Sequence, residues 1–269
     1  MGAFRLMTNG GDTVDDLTIS GKARLDILNA AFHAGKLGAH IAPSLSCVDI
    51  MIAVLREYGP NAVILSKGHG ALGYYSAMHQ LSFMTDAQFD SFETDGGEYP
   101  GQPSRSDTNG IIYSGGSLGM GLPYGTGVAY GNRSRRVIVV MGDGELNEGS
   151  VWEAASLAAR LGLSNLIAVV DGNSFQSDGT CESVLNMDIP ALWAAYGWNT
   201  IKCDGHDVSA VRKSLRETAI TKPTAVLART IKGKGVSFME NNNQWHHSAL
   251  KQSDYESAVQ EVITGYGLH

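Results

Sequence analysis

Two residues thirty positions apart carry the first chemical signal in this sequence. Asp143 stands in Val139-Val140-Met141-Gly142-Asp143-Gly144-Glu145-Leu146-Asn147-Glu148-Gly149, an apolar run that breaks into glycines around an acid. Asn173 stands in Gly172-Asn173-Ser174-Phe175, where the run Leu166–Asp171 breaks in the same way. If the two strand ends are neighbours, a carboxylate, a carboxamide and free backbone carbonyls converge on one point. These are hard oxygen ligands suited to Mg²⁺, which holds near-octahedral geometry and shares phosphate oxygens. Gly144 leaves room for a phosphate against the N–H groups of the following helix start. A glycine-flanked aspartate is common in α/β proteins; its pairing with Asn173 is what makes the pattern specific.

The eight histidines sort by their settings. His40 (in Gly38-Ala39-His40) and His69 (in Lys67-Gly68-His69-Gly70) each sit in a glycine-containing turn, and His246-His247 follow Trp245. His33, late in a predicted helix, and His79 read as surface or core residues. His206 follows Asp204-Gly205 at a strand end, where it either lies near the site or caps a helix, and His269 is a chain end. Lys232-Gly233-Lys234-Gly235 lacks the spacing of a phosphate-binding P-loop, and Gly115–Gly121 is not a dinucleotide fingerprint in register after a strand.

These residues need elements to position them. Short, unalternating apolar runs at Ala62–Ser66, Arg136–Met141, Leu166–Asp171, Asn199–Cys203 and Thr224–Thr230 suit strands buried on both faces. Helical stretches lie between and around them: Asp16–Ala34, Ser46–Tyr58, Ala71–Leu81, Leu118–Tyr130, Gly149–Leu161, Val208–Glu217 and Ser253–Thr264. Ser46 with Asp49, and Asp207 before Val208, look like helix starts with capping side chains. The alternation predicts a doubly wound, mainly parallel α/β sheet with helices on both faces, whose ligands sit beyond the carboxyl ends of the strands. Several clusters of the 33 glycines fall there. One domain over 1–269 is expected, with 1–15 a flexible or peripheral N-terminal segment.

A net charge of −7 argues against a nucleic-acid or anionic-membrane partner, and no apolar run reaches the roughly 18 residues of a membrane helix. Three scattered cysteines, Cys47, Cys181 and Cys203, suggest reduced thiols and a cytoplasmic protein.

The segment Gly142–Gly179 resembles the thiamine-diphosphate motif of the transketolase family, and the resemblance extends from about Leu17 to Glu261. Matching stretches are Gly38–Ser46, Leu65–Gly70, Gly115–Gly121, Lys232–Val236 and Trp245–His247, in the family's order. Full-length members are over twice as long, so the resemblance implies the N-terminal subunit of a split transketolase. It implies that Asp143, Asn173 and the Phe175 carbonyl hold Mg²⁺ (or Ca²⁺), within a cofactor-binding turn formed by Gly142, Asp143, Gly144 and Glu145. His69 and the Gly144 N–H would hold the diphosphate, with His246 nearby, and the Gly116 and Leu118 backbone would meet the aminopyrimidine. His40 would serve the substrate oxygens as an acid–base group with a pKa near working pH, His246 would face inward with His247 toward solvent, and Glu148 would lie at a subunit interface.

Gln102, in Tyr99-Pro100-Gly101-Gln102-Pro103, departs from the family, which usually has histidine there. Either the donor is unusual, or the two-carbon donor contact is rearranged, or the amide preserves the hydrogen bond. The resemblance implies two-carbon ketol transfer from a ketose, usually phosphorylated, to an aldose. It also implies a separate C-terminal partner chain, in a heterotetramer, that supplies the cofactor-activating glutamate. The rivals are the α subunit of a thiamine-dependent 2-oxo-acid dehydrogenase and a non-catalytic cofactor-binding regulatory subunit.

Overall fold

A computed structural model describes residues 15–268, so His269 and all of the expected peripheral segment except Asp15 lie outside the described residues. The chain runs α1 (Asp16–His33), α2 (Ile41–Tyr58), β1 (Val63–Leu65), α3 (Ala71–Gln80), α4 (Asp86–Phe89), α5 (Gly121–Gly131), β2 (Val137–Gly142), α6 (Gly149–Arg160) and β3 (Leu166–Gly172). A small hairpin of β4 (Phe175–Gln176) and β5 (Gly179–Thr180) follows, then α7 (Cys181–Val184), α8 (Ile189–Ala195), β6 (Asn199–Asp204), α9 (Val208–Arg216), β7 (Thr224–Arg229) and α10 (Gln252–Tyr266).

All five expected strands form one parallel sheet in the order β1-β2-β3-β7-β6. Their lack of alternation has its cause in the packing. Ile138 and Val140 of β2 enter one core with α1, α2, α3 and α9, while Val137, Val139 and Met141 enter a second core with α5 and α6. Both faces of the central strands are dry, so β1, β2 and all of β3 up to Val170 are apolar, while the edge strand β6 is only half-buried and more polar. The register pairs Gly142 with Asp171 and Gly172 with Arg229, which sets the exits of β2, β3 and β7 side by side.

Two helix boundaries differ from the sequence expectation. Helix α2 begins at Ile41, directly after His40, so Ser46 and Asp49 lie inside it and cap nothing. Both are buried polar residues with tertiary partners, and the residue types that favour caps also serve such networks. Helix α5 begins at Gly121, after Gly119 at φ 79°, which breaks the expected earlier start. Within α5, a Cβ on Gly125 would lie 2.6 Å from Val139 Cγ2, so the glycine lets the helix sit close on the sheet. Asp207 does cap α9, accepting from the Ala210 N–H at 3.0 Å.

Asp49 shows what the mid-helix acids do. Its carboxylate takes a bidentate guanidinium from Arg24 at 2.9 and 2.6 Å, with the two side chains 2% and 0% exposed. Arg24 also donates to the carbonyls of Lys234 (3.0 Å) and Ser20 (3.1 Å). His206 Nδ1 lies 2.8 Å from Asp49 Oδ2, and its Nε2 accepts the Ile231 N–H at 2.8 Å. His206 is therefore a clamp between α2 and the segment after β7 and not a helix cap, and it lies near the site, lining a neighbouring cavity that Asp143 also borders. Burial opposes ionisation of Asp49, but the Arg24 charge and hydrogen bonds prevail and hold its carboxyl well below the usual carboxylate range. Arg24→Met strands that carboxylate. Urea denaturation should show a loss of about 3–5 kcal/mol, and a loss under about 1 kcal/mol would mean that the pair is not needed.

Candidate active site

Asp143 leaves β2 as a buried carboxylate, with Oδ1 accepting the Gly144 N–H at 2.9 Å and Oδ2 the Ser174 N–H at 2.5 Å. Burial and then the nearby Asp171 charge push its carboxyl up to about 6. The Lys67 charge offsets this only in part and no cation among the described residues pairs with Asp143 directly, which suits a metal ligand. Asn173 is oriented from behind. Its Nδ2 donates to Ser46 Oγ and to Asp171 Oδ2, both at 3.1 Å, and a carboxylate can only accept, so Oδ1 points the other way, where it accepts the Phe175 N–H at 3.0 Å and keeps one lone pair. Asp171 is wholly buried and takes hydrogen bonds from Lys67, Thr230 and Ser46. Burial works against its ionisation, but Lys67 holds the pKa below the ordinary value. Lys67 Nζ donates further to the Pro43 carbonyl at 3.1 Å.

Glu145, expected to bind cofactor, turns its carboxylate to protein donors. It accepts from Ser66 Oγ, the Gly119 N–H at 2.8 Å and the Gly142 N–H at 3.2 Å. These bonds tie the loop carrying Gly116 and Leu118 to the turn carrying Asp143 and Gly144. Glu145 therefore positions a cradle, although it also lines the cleft. Leu118 is 39% exposed and lines the same cleft, while Gly116 at φ 128° has open space where a Cβ would stand. Glu148 caps the start of α6 on an exposed rim of the cleft, against Gly119.

The imidazoles assemble as a cluster. His40 and His69 stack with ring centroids 4.0 Å apart and 9° between planes. His246 Nε2 lies 2.9 Å from His69 Nδ1, and its ring meets His40 edge-on at 5.6 Å. His247 packs on the outer edge of His40 at 4.6 Å and is exposed, so His246 is the inward residue of the pair. The sequence expectation of a His40 pKa near working pH is corrected. Burial, then His69 and His247, bring it down to about 3, while burial, Lys232 and its histidine neighbours do the same to His246. Burial and Lys67 also lower His69. His40, His69 and His246 are thereby held toward their neutral forms and act through hydrogen bonds.

Gln102 lies against Gly68, where a Cβ would run into its amide oxygen, and that oxygen is buried without a hydrogen-bond partner among the described residues. No group of the protein among the described residues uses that acceptor. An orphaned acceptor beside the His69 turn is a place for a ligand donor.

A cleft of about 340 Å³ runs from His246 and Lys232, past His69, Asp143 and Asn173, to Leu118 and Glu148, and His40, Gln102 and Asp171 stand behind its lining. Lys67, Asp171 and Lys232 do not stand out in the sequence. Their only signal there is a lysine in each of two glycine turns and an acid inside an otherwise apolar strand.

Fold and site define an α/β domain with a polar, anion-suited cleft at the exits of a parallel sheet. Residues 58–268 match the transketolase thiamine diphosphate binding domain. The chain is 34% identical over 268 residues to an apulose-4-phosphate transketolase subunit of Actinobacillus succinogenes, covering 92% of this chain and 96% of that protein. It is 33% identical over 249 residues to the 6-deoxy-6-sulfo-D-fructose transketolase subunit SqwG of a Clostridium strain, covering 85% and 90%. A transketolase from Pichia stipitis, crystallised with xylulose 5-phosphate, superposes with a TM-score of 0.82 at 26% identity, over 94% of this chain and 40% of that one. The chain belongs to the transketolase family and carries its thiamine diphosphate binding domain. It spans well under half of that solved chain. The match favours the transketolase assignment over the 2-oxo-acid dehydrogenase rival.

The depressed histidines have a pH signature. A histidine whose folded pKa lies below its unfolded value binds fewer protons when folded, so stability falls as pH drops from about 6.5 toward about 3. Denaturant midpoints across that window should show a slope that His40→Gln/His246→Gln flattens. An unchanged slope would mean that the two rings are not buried neutral.

Proposed function

We propose that this chain is the thiamine-diphosphate-holding subunit of a split transketolase, moving a two-carbon ketol unit from a ketose phosphate to an aldose acceptor. One observation carries the reading: the Asp143–Asn173 pair at adjacent strand ends shares one cleft with the imidazoles of His69 and His246, and His40 stacks on His69. The Actinobacillus and Clostridium relatives are both named as transketolase subunits, which supports a partner chain for this one. Two such pairs would form a heterotetramer with Glu148 at the interface. Three unpaired cysteines suit a cytoplasmic setting.

When bound, thiamine diphosphate supplies the carbanion and electron-sink chemistry for the ketose carbonyl. Asp143, Asn173 and the Phe175 carbonyl would hold Mg²⁺ (or Ca²⁺), as their hard oxygens and the underbalanced carboxylate fit. His69 and the Gly144 N–H would grip the diphosphate, and the backbone of Gly116 and Leu118 the aminopyrimidine. His40, neutral and stacked, donates a hydrogen bond to a sugar oxygen. Gln102 offers its unpaired amide oxygen to a donor hydroxyl, a contact that selects among ketoses.

Asp143→Ala should abolish Mg²⁺-dependent thiamine diphosphate binding measured by calorimetry, and unchanged affinity would sink the metal assignment. His40→Ala should lower kcat by about 10²-fold or more while keeping cofactor affinity; collapse of affinity with kcat intact would make it a diphosphate residue. The function itself is tested by mixing the full chain with its candidate partner, cofactor, Mg²⁺ and a panel of ketose phosphates and aldoses. Two-carbon transfer by the mixture and none by the lone chain is expected. Robust transfer by the lone chain would defeat the split reading, and oxidative decarboxylation of 2-oxo acids would replace it.

A further inference from the structure

Lys232 lies in the run after β7 that no phosphate-loop spacing explains, and its side chain is buried at the His246 end of the cleft. Its Nζ stands 2.6 Å from Asn243 Oδ1, 2.9 Å from His246 Nδ1 and 3.3 Å from the Gln176 carbonyl. Three acceptors match the three protons of an ammonium. Asn243 is oriented independently, because its Nδ2 donates to the carbonyls of Gln176 (2.9 Å) and Ser177 (3.3 Å), so its Oδ1 must face the lysine.

The consequence passes from ring to ring. With Lys232 donating, His246 Nδ1 is an acceptor and the proton of the neutral ring sits on Nε2. That Nε2 lies 2.9 Å from His69 Nδ1, which must accept in turn, so His69 also carries its proton on Nε2. Stacking on His40 fixes the plane of His69.

We propose that Lys232 is a positioning residue that locks His246 and His69 in the Nε2–H tautomer, and so presents His69 Nε2–H as a donor to a phosphate-type anion in the cleft. The anion's place rests on the proposed function; the tautomers do not, so the two can fail separately. An unlocked His69 would turn a lone pair toward the anion in part of the population, and binding would weaken.

The test is long-range ¹⁵N–¹H spectroscopy of the full chain labelled at histidine, with peaks assigned from His246→Gln and His69→Gln. Both rings should be Nε2–H in the unmodified protein at pH 7.5, a result that needs no lysine variant to fold. Lys232→Met should release His246 into a tautomer mixture and weaken inorganic pyrophosphate binding, roughly 10- to 100-fold by comparison with partners that orient metal-bound histidines. Lys232→Arg, which keeps N–H donors and cannot accept, should restore the Nε2–H pattern. Either ring found as Nδ1–H in the unmodified chain overturns the proposal. So does a Lys232→Met chain that keeps both tautomers, or one that changes them without losing pyrophosphate affinity.

Discussion

The buried ion pair of Lys67 and Asp171 is the constraint on which the cleft depends. A carboxylate at the end of a central strand would be costly to bury alone, and a buried lysine likewise. Together, and with Ser46, Thr230 and the Pro43 carbonyl as further partners, they satisfy each other and join four parts of the fold: α2, β3, and the segments after β1 and β7. Asp171 spends part of its accepting capacity on Asn173, and that bond, together with the Phe175 N–H donated to Asn173 Oδ1, decides which way the carboxamide is turned. Ordinary burial energetics thus fix the direction of an amide oxygen at the cleft. Glu145 does the same for the other wall, where a buried carboxylate holds two glycine loops at one spacing.

The second theme is charge without titration. Lys67 and Lys232 bring positive charge to the cleft, and burial, aided by those lysines, lowers the pKa of both His69 and His246 and so favours their neutral rings. Neutral rings have one donor and one acceptor each, so their hydrogen bonds have direction. A cleft built this way receives an anion through fixed dipoles and a few buried cations, with little rearrangement on binding.

Much of this is legible in the sequence because the signals are local. An apolar run broken by Gly142-Asp143-Gly144 can be read without knowing what packs on it, and all five strands follow from such runs. Ser46 and Asp49 resemble a cap in the sequence because their partners, Asp171 and Arg24, lie 125 and 25 residues away in the chain. The His40 pKa escapes sequence reading for a similar cause: burial and the stacked neighbour depress it, and neither is visible in the glycine turn around it. Lys67 and Lys232 are silent in the sequence because a lysine in a loop is usually solvated, and only the sheet register shows that these two are not.

The dependence of the cleft on the Lys67–Asp171 pair can be measured by calorimetry of thiamine diphosphate with Mg²⁺ on the full chain carrying Lys67→Met and Asp171→Leu together. The apolar pair removes both charges, so a thermal melt should show a folded protein, while Asn173 loses the acceptor that aims its amide. A melt close to that of the unmodified chain is expected, with Mg²⁺-dependent affinity lowered by roughly 10- to 100-fold. Full affinity in a folded double variant would contradict the dependence.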